Sequence, residues 1–165
     1  MLLYNFNSGF CSNQYPYYNY SNLKDMSGTN RTNGTISLSY MSGINSGSHY
    51  SGSSSGAFYV MIGAGDTAPT RDDYDMADTS IVASDKMVSL IQTATYTKAG
   101  GITATTQWKN NSSSPITIKE LALTFKFNSA AYQKSANVIV ARQVLDTPVT
   151  VQPGETYAFS YNIKV

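Results

Sequence analysis

The chain has 165 residues, a formal net charge of +1 and only 13% charged residues, against about a quarter in an ordinary soluble protein. That length accommodates one domain of about 100–110 residues with an appendage and excludes two full domains. Its 22 serines, 17 threonines, 13 asparagines and 12 glycines, with no Lys/Arg cluster, suit a β-surface covered by uncharged polar groups and lack the basic footprint of a nucleic-acid binder.

The opening Met1-Leu2-Leu3-Tyr4-Asn5 has neither a basic n-region nor a continuous apolar h-region, so no signal peptide is expected. No apolar run approaches the roughly 20 residues of a membrane span, so no membrane partner is expected. Cys11 is the single cysteine, which rules out an intrachain disulfide. Residues 1–56 carry three charges, Lys24, Asp25 and Arg31, and include the tract Tyr15-Pro16-Tyr17-Tyr18-Asn19-Tyr20 and the run Ser51-Gly52-Ser53-Ser54-Ser55-Gly56. Within them only Ile36-Ser37-Leu38-Ser39-Tyr40 alternates as a strand does. So few aliphatic side chains cannot offset the cost of ordering the backbone. Rings beside Ser, Gly and Asn do suit a contact surface, because they bring area at low entropic cost. The first 56 residues are therefore expected to form an extended, irregular N-terminal arm. Tyr4, Phe6, Phe10, Tyr15, Tyr17, Tyr18 and Tyr20 are its candidate contact residues towards partner subunits; the alternative is a flexible linker with scattered aromatics.

Residues 57–165 read as an all-β, antiparallel sandwich, Ig-like or jelly-roll-like. Ala57 to Ile62 is a short apolar strand, and residues 66–78 are an Asp-rich, solvated loop with Asx-turns. Val88, Leu90, Ala94 and Tyr96 then share one face, resumed after Ala99-Gly100-Gly101 by Ile102, Ala104, Thr106 and Trp108, which is a hairpin pattern. Ile116 and Ile118 alternate, but Leu121, Leu123, Phe125 and Phe127 continue one residue out of phase. A one-residue slip changes face, so a bulge or sharp bend is expected at Lys119-Glu120. Strands follow at Val138 to Leu145 and Val149-Thr150-Val151. Gln152-Pro153-Gly154-Glu155 predicts a type II turn, and in the last strand Tyr157, Phe159, Tyr161, Ile163 and Val165 are expected to face inward.

Catalytic and ligand chemistries find little footing. Gly63-Ala64-Gly65-Asp66-Thr67-Ala68 has the outline of a dinucleotide fingerprint, with Asp85 about twenty residues on, but that motif must open a helix. Here Pro69 follows, then Asp72, Asp73 and Asp75, which would repel a phosphate. Asp72, Asp73, Asp75 and Asp78 lack the Gly and the distal Glu of a calcium loop. His49, the only histidine, and Cys11 lie in segments with no scaffold to hold a base beside a nucleophile. Glu120 and Glu155, the only glutamates, sit at a bend and a turn, where paired-carboxylate chemistry has no cleft. No catalytic residue, cofactor or metal is expected, and the chain is not expected to be an enzyme. Trp108 and the aromatic last strand leave one alternative, a carbohydrate-binding or host-adhesion module.

The stretch GAGDTAPTRDDYDMAD at residues 63–78, preceded by the strand FYVMI, resembles a pattern in small structural proteins of tailed bacteriophages, in which a strand ends in a Gly-x-Gly turn followed by a Pro-Thr-x-x-Asp-Tyr loop. The ending ARQVLDTPVTVQPGETYAFSYNIKV is similar to their closing strands, with Arg142 before a Val-Leu pair and a Pro-Gly-Glu turn before the last strand. Together these span the whole β-region. The resemblance implies a β-sandwich virion component of the head-fibre, head-decoration or tail type. Such a component is often oligomeric, bound to other virion proteins and to copies of itself.

Overall fold

The computed structural model describes residues 2–3, 17–20, 23–31, 34–37, 57–70, 72–97, 101–129 and 134–163. The fold is all-β and antiparallel, as the alternation predicts. The strands run β1 (Leu2–Leu3), β2 (Tyr17–Tyr20), β3 (Leu23–Lys24), β4 (Asn30–Arg31), β5 (Gly34–Ser37) and β6 (Ala57–Gly63). A four-residue helix α1 (Ser80–Ala83) separates these from β7 (Met87–Thr97), β8 (Gly101–Asn110), β9 (Ile116–Ser129), β10 (Lys134–Val151) and β11 (Thr156–Ile163). One sheet has the order β1-β10-β9-β6 and the other β11-β8-β7, while β2 pairs with β5 and β3 with β4 in two short ribbons.

The two sheets pack face to face over a core that includes Phe58, Val60, Ile62, Met87, Trp108, Leu123, Phe159 and Tyr161. β8 contributes Ala104, Thr106 and Trp108, the face expected of it. β11 contributes Phe159, Tyr161 and Ile163, whereas Tyr157, also expected inside, is 45% exposed at the rim. The type II turn forms: Glu155 N–H donates to the Gln152 carbonyl, and Gly154 takes φ +79°, a conformation that glycine adopts without penalty.

β7 departs from the expected face. Its pairing steps from Ser89↔Trp108 to Gln92↔Thr106, so β7 carries one surplus residue and the alternation reverses across it. Met87 is therefore buried before the bulge and Ala94 after it, while Leu90, expected inside, is 53% exposed and Ile91 38%.

In β9 the change of phase falls where the apolar pattern breaks. Ile116 and Ile118 belong to the main core, as do Leu121, Leu123 and Phe125. The surplus residues lie on the partner strand: Val144 pairs with Glu120 and Val149 with Ile118, so residues 145–148 of β10, Pro148 among them, have no counterpart. A bulge is a place where a sheet tolerates proline. Beyond this point residues 121–125 of β9 are buried on both faces. Ala122 joins Met76 and Ile139 in a second cluster on the outer side of the sheet, flanked by Met26 and Met61.

Candidate functional site

Among the described residues the most concentrated polar chemistry lies on that outer side, where residues 63–70 and 72–78 fold over β9 and β10. Glu120 and Arg142 are carried there by neighbouring strands, since β9 residue Ala122 pairs with Arg142 itself. Arg142 Nε donates to Glu120 Oε2 at 2.8 Å, with the two side chains 2% and 0% exposed. Its Nη1 donates to Asp73 Oδ2 at 2.6 Å and its Nη2 to the Thr67 carbonyl at 2.9 Å. Glu120 in turn accepts three loop amides: Gly65 N–H at 3.2 Å and Asp78 N–H at 2.8 Å on Oε1, and Ala77 N–H at 3.2 Å on Oε2. Two buried charges thus hold both ends of the loop, and each is paired and hydrogen-bonded, as burial of charge requires.

The glycines acquire a reason here that has nothing to do with a phosphate. A Cβ on Gly63 would lie 2.5 Å from Glu120 Oε1 and 2.6 Å from the Asp78 carbonyl. One on Gly65 would lie 2.5 Å from Ala77 Cβ and 2.6 Å from Glu120 Oε1. Gly-x-Gly is a seat for a carboxylate of the same chain.

The loop is correspondingly less solvated than its composition suggests. Met76 is buried and Asp73 half-buried, while Asp66, paired with Lys119 at 3.0 Å, stays exposed. Partial burial would raise the Asp73 carboxyl, but hydrogen bonds from Thr70 and the Arg142 contact outweigh it and hold it below the usual value. Asp75 moves the other way, pushed up by burial and by its proximity to Glu120. Burial would weaken Arg142 as a base, and Glu120 and Asp73 reverse that, so its pKa is raised. Among the described residues no group of three or more His, Cys, Asp or Glu side chains is arranged to hold a metal ion.

A second contact joins the N-terminal part of the chain to this loop. Asp25 Oδ1 accepts from Ser27 N–H, Ser27 Oγ and Thr29 N–H, closing the β3–β4 turn. Met26 N–H donates to the Asn137 carbonyl at 2.9 Å, and Lys24 Nζ lies 4.1 Å from the centre of the Tyr74 ring. Of the candidate contact residues, Tyr17, Tyr18 and Tyr20 lie on β2, opposite Ser37, Ile36 and Gly34 of β5. Tyr4, Phe6, Phe10 and Tyr15 lie outside the described residues.

Trp108 is 4% exposed and donates Nε1–H to the Val60 carbonyl at 3.0 Å. It offers no ring face to a sugar. Arg142 carries a signal in the sequence, a lone charge inside the apolar run VIVARQVL, whereas Glu120 stands beside Lys119 in IKELALTF and is less conspicuous. Opposite charges embedded in this way on adjacent strands answer one another. Comparison of the chain with protein-family models, with curated proteins and with solved structures found no match.

Proposed function

We propose that the chain is a non-enzymatic structural component of a virus particle of the tailed-bacteriophage type, a head-fibre, head-decoration or tail protein. Its partners are copies of itself and neighbouring virion proteins, reached through the N-terminal arm of residues 1–56 and the rings it carries between Tyr4 and Tyr20. The observation that carries this is the use made of the polar cluster. Residues 63–78, which resemble the phage pattern, spend their amides on Glu120, and Arg142 spends its guanidinium on Glu120, Asp73 and Thr67. Chemistry of that kind holds a loop to a sheet. The carbohydrate-binding alternative rested on Trp108 and the aromatic last strand; Trp108, Phe159 and Tyr161 belong to the core, which leaves Tyr157 as the one exposed ring of that set.

The test is mass spectrometry of virus particles purified from the source of the sequence, with the chain whole or lacking residues 1–22. The full chain is expected in the particles in stoichiometric amount, and the shortened chain is expected to fold but to be missing from them. Incorporation of the shortened chain at the full level would move attachment to the sandwich. Absence of the full chain from particles overturns the proposal.

A further inference from the structure

Each open edge of a sheet needs a means of avoiding unwanted pairing, and the edges of this sandwich are unequally protected. The outer edge of β6 is sealed by side chains, since Val60 N–H donates to Thr106 Oγ1 at 2.9 Å and its carbonyl accepts from Trp108 Nε1. β10 is met by β1 at Ala141 and Arg142 and by Met26 N–H at Asn137, and it is broken by two register shifts. β7 carries its bulge. β11 has none of these devices: its register runs unbroken from Thr156↔Lys109 to Ile163↔Ile102, and its sequence, TYAFSYNI, has no charge, proline or glycine. Among the described residues no strand pairs with its outer edge.

The direction of its free groups follows from the ladder. Asn110 N–H donates to the Glu155 carbonyl, which sets the phase of the ladder: residues 157, 159, 161 and 163 exchange hydrogen bonds with β8, and those between them point outward. Ser160 Oγ and Thr105 Oγ1 approach to 2.8 Å, as side chains do in the closer, non-hydrogen-bonded pairs of such a ladder. Thr156, Ala158, Ser160 and Asn162 therefore turn their amides and carbonyls to the open edge, and all four are exposed.

We infer that this edge pairs antiparallel with the same edge of a second copy, with Ser160 on the two-fold axis. The strand is complementary to itself in that register. Ala158 falls opposite Asn162 of the second copy, so the outward groups of one meet those of the other. On the inner row Tyr157 falls opposite Ile163, which gives the 45% exposed ring an apolar neighbour. The charges do not oppose this register: Glu155 precedes the strand and Lys164 follows it, so antiparallel pairing brings opposite charges to the same end of the joined strands, with Lys164 opposite Thr156, whereas parallel pairing in register would set like against like. The result is a continuous six-stranded sheet closed by a two-fold axis. This deepens the proposed function, in which copies of the chain are partners, by assigning the surface that joins them.

The test uses the full chain with Cys11→Ser, its mass followed by light scattering across the micromolar range. A concentration-dependent dimer is expected. Ser160→Lys sets like charges opposite one another on the axis and is expected to weaken it about tenfold or more. Thr95→Lys, on the same outer face but on β7, is expected to leave it unchanged. Ser160→Cys is expected to give a disulfide-linked dimer on oxidation, because the paired Cα atoms would stand about 5.5 Å apart. A monomer at every concentration, a dimer indifferent to Ser160→Lys, or an oxidised Ser160→Cys chain that stays monomeric each overturns the inference. These readings need no particle, so a chain that dimerises this way yet never enters a virion would defeat only the proposed function.

Discussion

Burying Arg142 against Glu120 takes two full charges out of water, and the pair is retained only because three loop amides, Asp73 and the Thr67 carbonyl complete its hydrogen bonds. Removing one member leaves the other buried and unpaired, which typically costs about 3–5 kcal/mol. Glu120→Gln and Arg142→Met are each expected to destabilise by that order, and the double variant by clearly less than their sum. Urea unfolding followed by Trp108 fluorescence measures all three; additive losses would mean that the two side chains act independently. Asp73 adds a pH dependence of definite sign. A carboxyl whose pKa is lower folded than unfolded contributes stability that is complete above its unfolded value and is lost as pH falls through the folded one. For Asp73 the ordinary value is 3.8, so the loss belongs to the range below about pH 4. Asp75, shifted upward, opposes it by relieving a penalty on acidification. Asp73→Asn is expected to flatten the acid limb of the stability profile, and an unchanged limb would remove Asp73 from the clasp. Tyr161 presents the opposite case: its hydroxyl is buried with no hydrogen-bond partner among the described residues, and burial raises its pKa. Since an unsatisfied buried group costs about 1–3 kcal/mol, Tyr161→Phe is expected to hold or raise the melting temperature, and a clear fall would reveal a partner for that hydroxyl.

At the scale of elements, the 110–115 loop and the 152–155 turn are tied together by one side chain. Asn110, 0% exposed, donates Nδ2–H to the Ser114 and Val151 carbonyls and accepts on Oδ1 from Ser112 N–H and Oγ. Asn110→Ala strands these groups together and is expected to cost about 2–4 kcal/mol, measured by thermal melting; a loss below about 1 kcal/mol would show that water replaces the amide. Much of this architecture was legible beforehand, wherever local chemistry decides it. The alternation in β8 and β11 marks their buried faces, and Pro153-Gly154 marks the turn. What escaped depends on residues far apart in the chain. The surplus residue in β7 turns Leu90 outward, and nothing local to Val88 or Leu90 announces it. The seat formed by Gly63 and Gly65 has a meaning only once Glu120, 55 residues beyond Gly65, lies in it. Asp73 looks solvated until Arg142 arrives from a distant strand.

At the scale of the whole molecule, residues 57–165 are expected to hold most of the stability and the segment before them little. Among the described residues the main core is drawn entirely from the former. The β3–β4 hairpin adds to it the half-buried Met26, packed against the cluster of Met76, Ala122 and Ile139, one hydrogen bond to Asn137, and the Lys24–Tyr74 contact. A fully buried methionine is worth about 1.5–3 kcal/mol, a hydrogen bond about 1 kcal/mol and an exposed cation–π contact about 0.5–1 kcal/mol. Ordering backbone costs about 1–2 kcal/mol per residue, which would outweigh these gains over the whole of residues 23–31. The hairpin can dock only because its turn is largely shaped in advance by Asp25, which collects Ser27 and Thr29. Its net contribution is therefore small. A chain comprising residues 57–165 alone is expected to unfold cooperatively, with stability lower by less than about 2 kcal/mol, and with faster amide exchange at residues 72–78 and at β10 residues 141–142, which lose β1. Asp25→Ala in the full chain is expected to reproduce that exchange at residues 72–78 but not at residues 141–142, because an undocked hairpin and an absent one expose the same methionine patch while β1 stays in place. Hydrogen exchange on the three chains decides the matter. A 57–165 chain that fails to fold would place part of the essential core before residue 57, and the division of the molecule at that point would fall.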